Sequence, residues 1–152
     1  MRKKSFRRKN ISALILLAEG FNETWLTSCV AELRDNGLDA VVVGLRPGPV
    51  SGQHGMVIQT DRYFGEIRDC QPKLLALADG KHCIYKLLSE PKVHRLIKAT
   101  IQSGGRVAAT PESETILKRI GRLTPAQFEH FIWQGLTPAP DYARTLVHAL
   151  GA

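Results

Sequence analysis

Apolar and polar positions alternate along this chain in blocks that predict parallel strands separated by amphipathic helices. Residues 11 to 17 form a nearly continuous apolar run, which is typical of a strand covered on both faces. Asn22 is placed to cap a helix whose apolar residues recur at helical spacing, and Asn36-Gly37 supplies its stop. The β-branched run 40 to 43 follows. Strand, helix and strand in this order predict a right-handed βαβ unit.

The same alternation continues through the second half of the chain. Residues 73 to 78 predict a third strand, and the next helix begins near Pro91 and stops at Gly104-Gly105. Residues 106 to 109 predict a fourth, small-sided strand, which runs directly into a helix over 110 to 120. The alternation predicts an α/β fold, a single-domain doubly wound and mainly parallel sheet with helices on both faces.

The last 30 or so residues have a different pattern, which predicts a shortened C-terminal part made of two short helices. Thr124-Pro125 and Thr137-Pro138 each combine a helix-capping Thr with a Pro suited to the first helical position, so about 10 helical residues should follow each pair. Each predicted helix carries an apolar stripe rich in aromatic residues, namely Phe128, Phe131, Ile132 and Trp133 in the first and Tyr142, Leu146, Val147 and Leu150 in the second. Such stripes either cover a sheet or form a subunit interface.

Composition restricts the class of protein to a globular domain with a basic tail. The chain has 152 residues, 43% of them hydrophobic, and no apolar run approaches the roughly 18 residues of a membrane span. Its net charge is +7, but six of the 21 basic residues precede the first strand: Arg2, Lys3, Lys4, Arg7, Arg8 and Lys9. We therefore predict a flexible tail over 1–10 and one domain over 11–152. The tail supports at most weak, non-specific nucleic-acid binding.

The cysteines and histidines favour neither a disulfide framework nor a metal or cofactor site. Cys29, Cys70 and Cys83 are odd in number and lack C-x-x-C spacing, and the five histidines show no ligand spacing. This composition fits a reducing, cytoplasmic location. Residues 1 to 18 imitate a secretory signal, but no small-x-small cleavage site follows and Glu19 comes at once, so we interpret the apolar run as a strand.

Four stretches of the sequence resemble the ThiJ/PfpI superfamily of the class I glutamine amidotransferase-like fold. They are residues 13–21 (ALILLAEGF), 33–43 (LRDNGLDAVVV), 74–80 (LLALADG) and 104–109 (GGRVAA). The resemblance spans residues 11 to 120 and implies a flavodoxin-like sheet. In such families the third strand ends in Pro-Gly-Gly, the fourth ends in an elbow that holds a catalytic Cys, and the first helix contributes a Glu beside that Cys.

The residues at those family positions imply a degenerate member that lacks the catalytic Cys. The elbow position falls on Pro111, the helix Glu position on Trp25, and Pro-Gly-Gly on residues 78–80 (ADG). A proline has a fixed φ and no nucleophile, so it cannot serve at an elbow. The resemblance thus implies a vestigial pocket and no catalytic residue, the pocket consisting of Glu23, Trp25, Asp79, Gly80, Thr110, Pro111 and Glu112.

The sequence around Thr110 also has the pattern of an ordinary helix start. Thr110 can cap the helix, Pro111 suits its first position, and Glu112 and Glu114 favour the positive end of the helix dipole. Their negative charge opposes an oxyanion at this point. Trp25, in turn, either fills the old pocket or forms the floor of an apolar ligand site.

Three functions remain open from the sequence. The first is a non-catalytic protein that acts through oligomerisation, most simply a homodimer, through partner binding, or through small-ligand sensing at the old pocket. The second is a hydrolase, amidase or deglycase-like enzyme with a relocated nucleophile, for which Cys83 and the adjacent His82 are the candidates, although neighbouring side chains in an extended segment point apart. The third is a nucleic-acid-associated factor held by the basic tail.

Overall fold

Every strand pairing in the main sheet is parallel in the computed structural model, which describes residues 11–67 and 70–151. The predicted tail over 1–10 lies outside the described residues. The strands are β1 (Ala13–Leu17), β2 (Ala40–Gly44), β3 (Val50–Ser51), β4 (Val57–Ile58), β5 (Arg62–Tyr63), β6 (Leu74–Leu77), β7 (Arg106–Ala109) and β8 (Phe131–Trp133). Six of them form a sheet in the order β5-β2-β1-β6-β7-β8, and β3 and β4 form a separate antiparallel hairpin. The predicted fold class is confirmed.

Helices cover both faces of this sheet. They are α1 (Glu23–Asp35), α2 (Lys81–Leu88), α3 (Pro91–Gln102), α4 (Pro111–Ile120), α5 (Pro125–Phe128) and α6 (Ala139–Ala149), and a 3-10 turn spans Phe64–Glu66. The crossover β1-α1-β2 runs in one direction and β6-α2-α3-β7 in the other, so right-handed connections place their helices on opposite faces. Accordingly α1 packs against α6, and α2 packs against α3 and α4. No helix in the described ranges has the length and hydropathy needed to cross a membrane.

The burial of the central strands explains why the sequence pattern predicts them clearly. All five residues of β1 and all four of β6 are fully buried, since each strand has neighbours on both sides and helices above and below. Ala13 is paired with Ala40 of β2 and with Leu74 of β6, which fixes the register at the start of all three strands. Continuous apolar runs are the expected signature of such strands.

The prediction of two helices of about 10 residues at the C-terminus is wrong for the first of them. α5 has only four residues, and the predicted helical stripe continues as β8, which pairs in parallel with β7. Phe131 and Trp133 stack with their ring centroids 4.7 Å apart, and Phe128 packs 5.4 Å from Phe131. The second predicted helix is present as α6, but it begins after Pro138 instead of at it. Helix α2 and strand β8 are the main elements that the sequence pattern did not predict.

Candidate functional site

The connections of the sheet reverse direction between β1 and β6, and doubly wound proteins bind ligands at the carboxyl ends of the strands at such a point. Here backbone atoms fill the crevice between these two strands. The Asn22 N–H donates to the Asp79 carbonyl over 2.8 Å. Gly80 has a φ of +124°, and a Cβ at that residue would lie 2.3 Å from the Gly20 carbonyl oxygen. The predicted pocket residues Asp79 and Gly80 therefore close the crevice instead of lining an open one.

Cys83, the candidate relocated nucleophile, lies inside the core at the start of α2. Its Sγ accepts the Ala18 N–H over 3.3 Å and donates to the Ala78 carbonyl over 3.6 Å. Burial raises the pKa of the Cys83 thiol to about 12, and the charge of Asp79 acts in the same direction. His82 is exposed. A buried thiol with a raised pKa suits a structural role and argues against nucleophilic catalysis.

The turn after β7 is a closed, hydrogen-bonded helix start. Thr110 and Ser113 are fully buried, and the Thr110 N–H donates to the Ser113 Oγ over 2.9 Å. The Ser113 hydroxyl also contacts the Thr110 carbonyl at 2.9 Å, while Pro111 is the first residue of α4 and is exposed. The buried polar groups of the turn are thus partnered within it. Pro111, which the family resemblance puts at the elbow position, has no side-chain atom able to attack a carbonyl.

Two acidic residues, Glu112 and Glu114, lie in the first helical turn of α4. Glu112 is exposed, and Glu114 forms an ion pair with Lys118 one helical turn further on, with 2.8 Å between Oε2 and Nζ. Both carboxylates lie near the positive end of the helix dipole, which they stabilise. The same negative charge disfavours a developing oxyanion in this region, as it does any bound anion.

Trp25 lies in the first turn of α1 and is 1% exposed. The helix start is fixed by Asn22, whose Oδ1 accepts the Trp25 N–H over 3.0 Å. The indole Nε1 is buried without a hydrogen-bond partner, and so is Oε1 of Gln134; the described residues contain no other such side-chain atoms. Solvent reaches almost none of the indole, so Trp25 acts as a core residue in this state.

Two residues near the carboxyl ends of β7 and β8 make contacts that the sequence pattern did not indicate. The Tyr142 hydroxyl, buried on α6, donates to the Ile132 carbonyl, and burial raises its pKa above the ordinary value. The backbone N–H of Gln134 donates to the Ala109 carbonyl over 3.0 Å. Tyr142 belongs to a predicted apolar stripe, and only the structure shows that its hydroxyl joins α6 to β8.

Glu23, one of the residues predicted for the vestigial pocket, binds the β3–β4 hairpin. Its Oε2 accepts the backbone N–H groups of His54, over 2.8 Å, and Met56, over 3.2 Å. Its Oε1 lies 2.8 Å from Nδ1 of the His54 ring. Burial acts to raise the pKa of Glu23, but the hydrogen bonds from the His54 ring and the backbone outweigh it and lower the pKa to about 2. Glu23 is therefore an ionised clamp between α1 and the hairpin.

Replacing this clamp should loosen the hairpin in a pH-dependent manner. In Glu23→Gln one carboxylate oxygen becomes an NH2 group, which cannot accept from a backbone N–H. We expect faster amide hydrogen exchange at His54 and Met56 and a lower unfolding midpoint at pH 7. Because the pKa of Glu23 falls from 4.5 to about 2 on folding, the clamp stabilises the protein fully above about pH 4.5 and is lost as the pH falls towards 2.

The difference between the wild type and Glu23→Gln should therefore shrink below pH 4.5 and vanish near pH 2. Glu129→Gln is a suitable control, because Glu129 is exposed and lies outside the hairpin. Equal rates of amide hydrogen exchange at Met56 in Glu23→Gln and in the wild type at pH 7 would contradict the assignment of Glu23 as a clamp.

Comparison with known proteins places this chain in one family. A model of the DJ-1/PfpI family matches residues 11–128. A deglycase from Thermococcus kodakarensis is 26% identical over 113 residues, which cover 74% of this chain and 68% of the deglycase.

Solved structures show the same fold at low sequence identity. DJ-1 of Toxoplasma gondii in an oxidized form has a TM-score of 0.82 at 17% identity, covering 92% of this chain and 90% of the other. DJ-1beta of Drosophila melanogaster has a TM-score of 0.78 at 19% identity, covering 95% and 92% of the two chains. These similarities cover a larger share of the chain than residues 11–128 do.

Proposed function

Because this chain belongs to the DJ-1/PfpI family, we propose that it is a non-catalytic member that acts through self-association, partner binding or small-ligand sensing. The proposal rests on Pro111, the residue that the family resemblance puts at the position of the elbow nucleophile. The ring lacks a nucleophilic atom, and the turn before it is closed by the hydrogen bonds between Thr110 and Ser113.

The three thiols offer no replacement for the missing nucleophile. Cys29, Cys70 and Cys83 are all free and buried. Burial raises the pKa of Cys29 and of Cys83 to about 12 and that of Cys70 to about 11. The thiolate is the reactive form, and at neutral pH these three groups remain thiols. The proposal therefore rests on the absence of an activated group at Pro111 and on the inertness of the cysteines.

An assay panel for amide and ester hydrolysis and for deglycation tests the proposal. We expect no turnover above background from the wild type or from Cys83→Ala. In parallel, a thiol reagent at pH 8 should label none of the cysteines quickly in the folded protein and all three after denaturation, because burial protects them. Turnover that Cys83→Ala abolishes would establish a relocated nucleophile, and turnover that survives in Cys83→Ala would equally overturn the non-catalytic proposal.

The second candidate is a deglycase-like hydrolase, and it is the similarity to the Thermococcus deglycase that favours it. This candidate requires a nucleophile other than Pro111. Thr110 and Ser113 are buried hydroxyls hydrogen-bonded to one another, with 3.3 Å between their oxygens. Neither has a histidine or carboxylate base among its hydrogen-bond partners. For that reason we prefer the non-catalytic function. We propose a location in the reducing cytoplasm, because three free thiols suit a reducing compartment.

We propose self-association as the form of action of this protein. The aromatic residues proposed for an interface are largely used inside the chain, since Phe131 and Tyr142 are buried. The exposed apolar pair Met56 and Val57, at 59% and 62% exposure, lies instead on the hairpin held by Glu23. We place the interface of a homodimer at this pair, because exposed apolar patches mark interaction sites.

A charge at this pair should therefore dissociate the dimer. We expect the wild type to elute as a dimer in size-exclusion chromatography with light scattering, and Val57→Glu to elute as a monomer at the same concentration. Leu136→Glu is the control, since Leu136 is fully exposed but lies in the loop after β8. A monomeric wild type over a broad concentration range, or a dimer that Leu136→Glu disrupts as much as Val57→Glu does, would refute the interface.

A further inference from the structure

A second crevice lies at the carboxyl ends of β1 and β2, two strands away from the turn at Pro111. Its volume is about 220 Å³, and it is bounded by the residues after β1, the loop after β2 and the outer face of α2. The crevice lies beside the switch point between β1 and β6 and shares with it the carboxyl edge of the sheet, where doubly wound folds bind ligands.

The walls of this crevice are apolar and held in place. Leu45, Pro47, Pro49 and Val50 are four of its eight lining residues, and each proline fixes its own φ. The loop is anchored at its start, where the Leu45 N–H donates to the Leu17 carbonyl over 2.9 Å. It is anchored again just past its end by the hydrogen bond from the Gly20 N–H to the Ser51 carbonyl, at 2.8 Å. The cavity is therefore formed before any ligand enters.

Charges of both signs line this apolar crevice without neutralising one another. The side chains of Arg46 and Lys86 form no ion pair or hydrogen bond within the described ranges, and both residues also border an adjoining open cleft of about 440 Å³. Both carboxylate oxygens of Glu19 accept the Ser51 N–H, each over 3.3 Å. Glu19 forms no ion pair with a cation among the residues that the structure describes. One crevice thus presents two cationic groups, one carboxylate and an apolar wall.

We propose that this crevice binds a small zwitterion with an apolar side chain, of the α-amino acid class. The ligand ammonium would face Glu19, its carboxylate would face Arg46 and Lys86, and its side chain would lie on the proline-rich wall. The volume of about 220 Å³ is below the roughly 300–1,000 Å³ of sites for drug-sized molecules, so the crevice favours a ligand as small as an amino acid. The site contains none of the residues around Pro111, and its failure would leave the non-catalytic proposal intact.

Three probes of nearly equal size test this assignment on the full chain. L-leucine carries both charges, 4-methylpentanoate lacks the ammonium, and 3-methylbutylamine lacks the carboxylate. In NMR titrations we expect leucine to shift the backbone amides of Glu19, Leu45 and Val50. Each truncated probe should bind about fivefold more weakly or worse, because it loses one charge-assisted contact.

Matched variants separate the two charged ends of the site. Arg46→Gln should weaken leucine binding about fivefold but leave the binding of 3-methylbutylamine unaffected. Glu19→Gln should also weaken leucine binding about fivefold but leave the binding of 4-methylpentanoate unaffected. Lys98→Gln and Glu129→Gln are the controls, since both side chains are exposed and lie outside the crevice. Absence of leucine-induced shifts at millimolar concentrations would overturn the proposal. Binding of 4-methylpentanoate as tight as that of leucine would do so as well, since it would show a simple anion site.

Discussion

Gly80→Ala should lower the free energy of unfolding by about 3 kcal/mol or more, because the new methyl group has no space and the backbone has an unfavourable conformation. The φ of Gly80 is +124°, which side chains of L-residues rarely adopt. A Cβ at Gly80 would lie 2.3 Å from the Gly20 carbonyl oxygen and 3.0 Å from the Phe21 Cα. Both are backbone atoms, so relief requires the loops after β1 and β6 to separate.

Gly121→Ala is the matched control for the backbone conformation alone. Gly121 ends α4 with a φ of +70°, and nothing lies within 4 Å of the position of a Cβ. Its substitution should cost about 1 kcal/mol, the usual penalty of a left-handed L-residue. Urea denaturation of both variants measures the difference. Similar losses in the two variants would show that the approach of Gly80 to Gly20 is not a tight constraint.

The close approach of Gly80 to Gly20 also closes the space between β1 and β6, where the connections of the sheet reverse direction. Backbone atoms occupy the space between β1 and β6, and the Asn22 N–H seals it through the Asp79 carbonyl. A ligand at the carboxyl edge of the sheet must therefore bind beside this contact. The crevice next to Glu19 lies on one side of it, and the turn at Pro111 lies on the other.

The central part of the fold could be predicted because burial on both faces leaves an unambiguous sequence pattern. The apolar runs 11–17 and 73–78 correspond to β1 and β6, whose side chains are all buried. The helix predicted over 110–120 is α4, since Thr110, Pro111 and Gly121 are local start and stop signals. Elements that depend on local signals and on full burial are therefore readable from one sequence.

Strand β8 could not be predicted, because its stability comes from pairing with a distant strand. Thr124-Pro125 does begin a helix, as predicted, and the Thr124 Oγ1 accepts the Gln127 N–H over 3.2 Å. The helix then stops after four residues, and Phe131–Trp133 joins the edge of β7. Three residues are too few to show strand periodicity, and tertiary pairing overrides the local helical signal.

Residues of the candidate site show the same division between local and long-range information. The family resemblance identified Pro111 and Trp25, because each occupies a defined place in a motif. The contacts of Glu23 with His54 and Met56, and of the Tyr142 hydroxyl with β8, join segments distant in sequence. A single sequence carries no signal for such contacts, so the clamp role of Glu23 emerged only from the structure.

Trp25→Ala should have the largest effect of any single truncation discussed, with a loss of about 3–5 kcal/mol in the free energy of unfolding. The Trp25 side chain is 1% exposed, and its removal leaves a cavity among rigidly packed neighbours. Trp25→Phe should cost much less, because it retains most of the apolar volume and eliminates the unpartnered Nε1–H. Urea denaturation at pH 7 with both variants separates the contribution of volume from that of the polar atom.

The same measurement distinguishes the two interpretations of Trp25. If Trp25 fills the old pocket, the loss in Trp25→Ala is large, and benzene or indole added to the variant should restore part of it by occupying the cavity. If Trp25 is instead the floor of an open ligand site, its truncation should cost less than about 1 kcal/mol, as for exposed substitutions. Trp25→Glu, which places a carboxylate at the family position, should be destabilised at least as strongly as Trp25→Ala, because it buries a charge without a partner. A large loss on truncation would therefore mean that Trp25 is a core residue, at the position where the family resemblance implies a Glu.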